Sequence, residues 1–293
     1  MEMRSGFVSI LGKPNAGKST LSNYLVGEKL SIITAKAQTT RRRILGIVNE
    51  PGYQIIFTDN PGIIVNPEYK LQEWMNQQIS IALKDADIIF YMISPDETPD
   101  IELPVLKALK HTELPVVFLV NKIDILNEEK VKLQVDLWSE VFTNRSIIPV
   151  SALHRAGLDT IMNIVKENLP VHPPYFDTDA LTDLQERFFV TEIIREKILI
   201  QYQQEIPYAV EVVIDSYKEK EDINVIRAVI HVARESQKII IIGKKGEAIK
   251  KLGIAARKDI EAWLEKKVFL ELFVKVKGDW KNDDRSLKEF GYQ

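Results

Sequence analysis

The sequence predicts two domains, an α/β fold with a doubly wound, mostly parallel sheet and then a smaller α+β fold. Three observations carry that expectation. The apolar run Phe7-Val8-Ser9-Ile10-Leu11 leads through a glycine loop, Gly12-Lys13-Pro14-Asn15-Ala16-Gly17-Lys18-Ser19, into a stretch of helical spacing from Thr20 to Leu25. Apolar runs and helical stretches then alternate as far as Asn168. The proline pair in Val171-His172-Pro173-Pro174-Tyr175-Phe176-Asp177 ends that rhythm, because prolines forbid helix and stiffen the chain. The boundaries read as residues 1–172 for the first domain, 173–182 for a linker and 183–293 for the second domain with a C-terminal tail.

A chain of 293 residues gives each half enough length to bury a core without covalent staples. Cysteine is absent, which excludes disulfides, thiolate metal sites and cysteine nucleophiles and fits a reducing compartment. Arg4 is the only early basic residue and the first apolar run stops at Gly12, so neither a signal peptide nor a membrane span is expected there. The net charge of −3 conceals an asymmetry: residues 223–281 hold 14 Lys/Arg against 7 Asp/Glu, a local +7, while the remainder carries −10. A basic segment in an otherwise acidic chain points to a polyanionic partner.

In the first domain, strands are expected at Arg43–Asn49, Tyr53–Thr58, Asp87–Ser94, Leu114–Val120 and Ile147–Val150. Helices are expected at Lys18–Val26, Lys70–Lys84, Glu102–His111, Glu128–Phe142 and Gly157–Asn168. The glycine loop forms a phosphate cradle in this setting: inward backbone N–H groups and a helix N-terminus face the phosphates, Lys18 reaches the β- and γ-phosphates, and the Ser19 hydroxyl suits Mg²⁺. Gln38-Thr39-Thr40-Arg41 lies in the next connection, where a threonine hydroxyl can complete the Mg²⁺ shell; the residues leave Thr39 and Thr40 open, with Thr40 favoured. Arg41, Arg42 and Arg43 read as facing solvent, nucleic-acid backbone or a partner rather than the transition state.

Asp59-Asn60-Pro61-Gly62 closes the strand Ile55-Ile56-Phe57, placing Asp59 to hold Mg²⁺ through water and the Gly62 N–H to contact the γ-phosphate. Loss of those contacts on hydrolysis would release the segment that follows as a switch. Ile63 stands where Ras-like switches carry a water-orienting glutamine, so unassisted hydrolysis is expected to be slow, on the order of 10⁻⁴ to 10⁻² per second. Asn121-Lys122-Ile123-Asp124 follows the strand Val116–Val120. A carboxylate at Asp124 accepts from N1–H and the 2-amino group of guanine, whereas adenine would leave it unpaired at a cost of a few kcal/mol. The Lys122 stem lies along the base, Asn121 ties this loop to the phosphate loop, and Ser151-Ala152-Leu153 supplies a backbone N–H for guanine O6.

In the second domain, Thr182 is expected to cap a long helix through Glu186–Lys197, followed by strands at Tyr208–Tyr217 and Asn224–Arg234 that turn about Lys218–Asp222. The apolar segment Ile239–Ile242 then enters Gly243-Lys244-Lys245-Gly246, before a helix with Ile249, Leu252, Ala256 and Ile260 on one face and a strand at Val268–Val276. A basic G-x-x-G loop in that order of elements is the arrangement of a type II KH domain, which clamps single-stranded RNA backbone. Ile242, Gly243, Lys244, Lys245, Gly246, Lys250 and Lys251 are the candidate RNA contacts. Phe269, Phe273 and Trp280 read as packing residues rather than base-stacking platforms.

With both motif sets assembled, nearly the whole chain resembles the Era family of bacterial P-loop GTPases with a C-terminal KH domain. Gly12–Thr20, Ala37–Arg41, Asp59 with Pro61-Gly62, Asn121–Asp124, Ser151–Leu153, Glu192–Lys197, Pro207-Tyr208 and Gly243–Gly246 carry the resemblance. It implies a GTP-driven, monomeric cytoplasmic factor in 30S ribosomal subunit assembly that binds the 3′ end of 16S rRNA and touches the inner membrane face loosely. It implies GTP/GDP and Mg²⁺ as ligands, held by residues 12–20, Asp59, Gly62 and the guanine motif, and an activating K⁺ at Asn15. Asn60 departs from the family's usual threonine, which implies altered switch packing rather than lost activity.

Two other readings fit the glycine loop: a P-loop kinase, and an RNA-binding scaffold in which nucleotide only stabilises the fold. Asp124→Asn separates the first. We expect it to shift preference from guanine toward xanthine nucleotides in competition binding, whereas tight ATP binding indifferent to the change would support a kinase.

Overall fold

The computed structural model describes residues 2–292. Its contacts divide the chain into two units, residues up to Pro67 with Met75–Asp183, and Glu68–Trp74 with residues from Leu184 onward.

The first unit is built on a six-stranded sheet. Its strands are β1 (Arg4–Gly12), β2 (Ile44–Glu50), β3 (Tyr53–Asp59), β4 (Ile88–Ile93), β5 (Val116–Val120) and β6 (Ser146–Pro149). The order across the sheet is β2-β3-β1-β4-β5-β6, with only β2 antiparallel to its neighbour. Around it stand α1 (Lys18–Val26), α2 (Lys70–Asp85), α3 (Pro104–His111), α4 (Glu128–Val141) and α5 (Leu158–Asn168). Both sheet faces are covered, which is why β4 and β5 are buried at every position and read as unbroken apolar runs. One core joins Val8, Ile10 and Phe90 to Leu21 of α1 and Ile161 and Val165 of α5; the other joins Leu11, Tyr91 and Phe118 to Leu106 and Trp138. Parallel strands bring the C-terminal ends of β1, β3, β4 and β5 to one edge, where ligands bind in such sheets.

Stretch 173–182, read from sequence as a linker, is held within this unit. Gln54 of β3 binds the backbone at Tyr175 and Phe176, and the Ile47 N–H of β2 donates to the Leu181 carbonyl at 2.9 Å.

The second unit contains α6 (Glu186–Gln201), α7 (Ile206–Ala209), β7 (Val210–Glu219), β8 (Ile223–Val232), α8 (Glu235–Ile242), α9 (Glu247–Leu264), β9 (Lys267–Val276) and α10 (Asp284–Glu289). Its sheet runs β7-β8-β9, antiparallel and then parallel. Ile194 and Ile198 of α6 and Leu252, Ala256 and Ile260 of α9 pack on the face formed by Val212, Ile226, Ala228 and Ile230. The helix–strand–strand–helix–helix–strand order matches the expected type II KH arrangement, framed by the short α7 and α10 that no periodicity announced.

Two local expectations are corrected. The α6 helix is capped by Gln185, not Thr182, and without a side-chain hydrogen bond. Trp280 is fully buried, its indole N–H donating to Ala209 at 3.0 Å, but Phe269 and Phe273 are 51% and 43% exposed on the outer face of the edge strand β9. The alternation along β9 sends Val268, Leu270 and Leu272 inward, so 269 and 273 point outward.

Candidate functional site

The phosphate cradle follows directly from β1. The backbone turns through Lys13–Ala16 and enters α1 at Lys18, with Gly17 capping the helix in a left-handed conformation (φ 104°). Lys18 is 6% exposed, and its ammonium donates to the carbonyls of Gly12 (3.1 Å) and Lys13 (2.9 Å). Burial lowers its pKa to about 8, opposed by the charges of Asp59 and Glu97. The Lys13 side chain turns toward Glu97 (3.5 Å), a buried carboxylate that also accepts from the Tyr91 hydroxyl at 2.7 Å. Lys13 therefore offers the cradle its backbone, and sequence reasoning did not foresee Glu97 behind it.

Ser19, Thr40 and Asp59 converge beside this loop. The Ser19 and Thr40 hydroxyls lie 2.9 Å apart, and Thr40 donates to Asp59 Oδ2 at 3.4 Å. Thr39 is turned away, donating to the Lys36 carbonyl at 2.6 Å. Of the pair left open by the sequence, Thr40 is the one brought to the corner. Asp59 is fully buried, and its Oδ1 has no hydrogen-bond partner. Burial pushes its pKa up, while the neighbouring hydroxyls and the Lys18 charge pull it down. Two hydroxyls and a carboxylate with a spare oxygen form a hard, all-oxygen donor set that fits Mg²⁺.

Gly62 lies against the phosphate loop: a Cβ there would meet the Pro14 backbone at 2.8 Å, so only glycine permits the approach. Ile63 donates its N–H to the Gly12 carbonyl at 3.1 Å and buries its side chain in the core beside Leu11 and Ile79. Its side chain thus takes no part in the cleft. Asn60 is fully buried, its amide donating to the Ile10 and Thr58 carbonyls at 3.2 and 2.9 Å. It braces the ends of β1 and β3.

On the base side, the Asn121 amide donates to the Ala16 carbonyl at 2.7 Å, tying this loop to the phosphate cradle. Asp124 accepts from the Ser151 hydroxyl at 2.6 Å, and that bond holds its carboxyl below the usual range and ionised. The Ala152 N–H is engaged by Asn121 Oδ1 at 2.9 Å, and the Leu153 side chain is 60% exposed. Ser151 orients Asp124, and Ala152 orients Asn121. These are bracing roles that the motif reading, which gave the stretch a backbone donor for O6, did not assign.

A cleft of about 390 Å³ is lined by Asn15, Gly17–Thr20, Gly62 and Lys122 together with residues 32–36 and 38–40. Asn15 donates to the Ala35 carbonyl at 3.0 Å across it. The wall from Ile32 to Lys36 escaped the sequence reading because a loop with neither period nor charged motif carries no signal.

In the second unit, Gly243 (φ 72°) and Gly246 (φ 79°) flank a short 3₁₀ turn with Lys244 and Lys245 exposed. Gly246 caps α9. Beside this loop runs a groove of about 310 Å³ between α9 and β9, lined by Ile249, Lys250, Gly253, Ile254, Arg257, Leu270 and Leu272. Lys250 lines it, whereas Ile242, Lys244, Lys245 and Lys251 do not. Its helical wall repeats at i, i+4 and i+8, alongside the buried Leu252, Ala256 and Ile260 stripe, and that spacing could have disclosed Gly253 and Arg257.

The Lys18 geometry yields a pH prediction. In the free protein Lys18 loses its proton near pH 8, and phosphate oxygens would restore it, so nucleotide binding takes up a proton above that pH. We expect GDP affinity to be level from pH 6.5 to 7.5 and to fall by up to about tenfold per unit above pH 8. Lys18→Arg should bind without that fall. Calorimetric titration across pH 6.5 to 9 measures both, and a level wild-type profile would contradict the assignment.

The comparisons agree with this geometry. A family described as "50S ribosome-binding GTPase" matches residues 7–122, and the KH domain family matches residues 205–281. GTPase Era of Geotalea uraniireducens is 46% identical over 100% of this chain and 99% of its own length. The rice chloroplastic GTPase ERA-like protein is 46% identical over 99% of this chain and 69% of its own length. Among solved structures, Era in complex with MgGDPNP and nucleotides 1506–1542 of 16S ribosomal RNA superimposes with a TM-score of 0.93, at 39% identity and 99% coverage of both chains. An Aquifex aeolicus Era variant bound to GDP·AlF4⁻ matches with the same TM-score, identity and coverage. A nucleotide cleft specific in its motifs for guanine, a KH fold with its glycine clamp, and full-length identity of this order lead to one assignment: the chain belongs to the Era family of GTPases.

Proposed function

We propose that this chain is a GTP-gated RNA clamp that binds the 3′ end of 16S rRNA and acts in assembly of the 30S subunit. The observation that carries the reading is the presence, in one chain, of both the Ser19–Thr40–Asp59 corner and the Gly243–Gly246 clamp. A relative with 39% identity was solved with MgGDPNP and 16S nucleotides together, which supports the pairing.

In this reading Lys18 leaves the Gly12 and Lys13 carbonyls for the β- and γ-phosphates. Ser19, Thr40 and Asp59 hold Mg²⁺, which when bound neutralises charge on the phosphate oxygens. The Gly62 N–H faces the γ-phosphate, and Asp124, ionised and braced by Ser151, reads guanine. Asn15 and the Ala35 carbonyl supply oxygens suited to K⁺ at the cleft mouth. With Ile63 buried, no side chain at that position orients the attacking water, so the chain relies on cations or a partner for speed.

The groove lined by Ile249, Gly253, Ile254 and Leu272 accepts bases while Lys250, Arg257 and the Lys244–Lys245 pair meet phosphates. No helix among the described residues is long and apolar enough to cross a membrane. Any membrane contact of this cytoplasmic factor is peripheral and rests on the same basic surface, in our reading.

Gly246→Asp tests the clamp. A Cβ at Gly246 meets nothing within 4 Å, but its φ of +79° strains any side chain, so Gly246→Ala serves as the control that carries the strain without the charge and should keep most of the affinity. For Gly246→Asp we expect affinity for a 16S 3′-end oligonucleotide to fall on the order of tenfold or more, with GTP turnover within about twofold of wild type. Unchanged RNA affinity would remove the loop from the RNA site.

A further inference from the structure

Gln54 is fully buried near the start of β3, beside the edge strand β2, yet it gives most of its hydrogen bonds to the stretch that leaves the first unit. Its amide donates to the Phe176 carbonyl at 2.8 Å and to Asn49 Oδ1 at 2.8 Å, and its carbonyl accepts the N–H groups of Tyr175 (2.7 Å) and Phe176 (3.0 Å). A primary amide can satisfy a backbone segment in this way as a neighbouring strand would. Tyr175 packs edge-on against Phe7 and stacks on His172, and Phe176 and Ala180 cover Leu45, Ile47 and Ile56.

Beyond Phe176 the stretch follows β2 back toward its start. Asn49 donates to the Ala180 carbonyl at 3.4 Å, Ile47 donates to the Leu181 carbonyl at 2.9 Å, and Asp183 feels the charge of Arg43. Arg43 immediately precedes β2 and lies three residues after Thr40, while Ile44 is in register with Asp59. The far end of the stretch therefore runs along β2 toward the exit of the segment that carries Thr40, where Arg43 itself pairs with Asp85 at 2.9 Å. In this structure Thr40 is at the Ser19–Asp59 corner and the stretch is fastened along β2 at the same time.

We propose that residues 175–183 form a strap, pinned by Gln54 and β2, that transmits the position of Thr40 to the RNA-binding domain. The proposal rests on the GTP-gated reading above and names its route. When Thr40 is held at the corner, Arg43 and the start of β2 are fixed and the strap is fastened. When hydrolysis frees Thr40, the β2 edge loosens and the strap detaches from its upper end first. The chain that enters α6 at Glu186 then gains slack, and the RNA-binding domain gains freedom.

Two measurements on the full-length protein test this. Amide hydrogen exchange reads the strap without RNA: Ile47 and the Tyr175–Phe176 pair should be protected at least about tenfold more with GMPPNP and Mg²⁺ than with GDP, a difference equivalent to about 1.4 kcal/mol. RNA affinity reads the consequence. Gln54→Ala and, as a variant that leaves the sheet interior intact, Tyr175→Ala should bring the affinity of the GMPPNP form for a 16S 3′-end oligonucleotide down to that of the GDP form, with GMPPNP affinity itself unchanged. Equal exchange in both nucleotide forms would overturn the strap, as would both variants keeping the wild-type difference in RNA affinity. If wild type shows nucleotide-dependent exchange but no nucleotide-dependent RNA affinity, the strap moves and the gated reading is what fails, and with it the strap's role as transmitter.

Discussion

The arrangement depends on one buried carboxylate. Asp59 is removed from water at the end of β3 with one oxygen unpartnered, an unfavourable state for an ionised group that a hard cation would relieve. Thr40 reaches it directly and Ser19 joins Thr40 at 2.9 Å, one from a segment between α1 and β2 that has no helix or strand of its own and one from the helix after the phosphate loop. That segment is placed by side-chain and backbone hydrogen bonds, such as Thr39 to the Lys36 carbonyl and Asn15 to the Ala35 carbonyl, rather than by a helix or strand. In the switch reading proposed above, the groups at the Asp59 corner decide whether such a segment is held or released.

The parallel sheet gathers the remaining chemistry at the same edge. Asn121 reaches from the end of β5 to the Ala16 carbonyl and accepts from Ala152, so the phosphate cradle and the guanine loops form one hydrogen-bonded frame. The clamp in the KH unit shares no residue with it. The Gln54-pinned stretch, which runs along β2 toward the start of that strand, is the route proposed for coupling them.

Most of this was legible in the sequence because the first unit's sheet is covered on both faces. Its strands are continuous apolar runs and its helices keep their period, so the expected elements lie within a few residues of those observed. The motif residues were legible because their chemistry is local. What the sequence did not disclose was long-range bracing. Glu97 behind Lys13, Ser151 on Asp124 and Gln54 on Phe176 are single polar residues whose partners lie far along the chain, and no spacing rule connects them. Phe269 and Phe273, read as core or strand packing, lie on the exposed face of the edge strand, where the Arg227 guanidinium of β8 covers the Phe273 ring; which face they take is set by a register the sequence does not show. The wrong cap for α6 has the same character: Thr182 has the right chemistry, but the stretch it ends is held along β2.

The central claim is that Thr40, held at Asp59, links the nucleotide state to RNA binding. The most direct test measures the affinity of Thr40→Ala for a 16S 3′-end oligonucleotide with GMPPNP and with GDP, beside wild type. The account predicts that wild type binds more tightly in the GMPPNP form and that Thr40→Ala binds at the GDP level with either nucleotide. A Thr40→Ala protein that retains the full wild-type difference would contradict it.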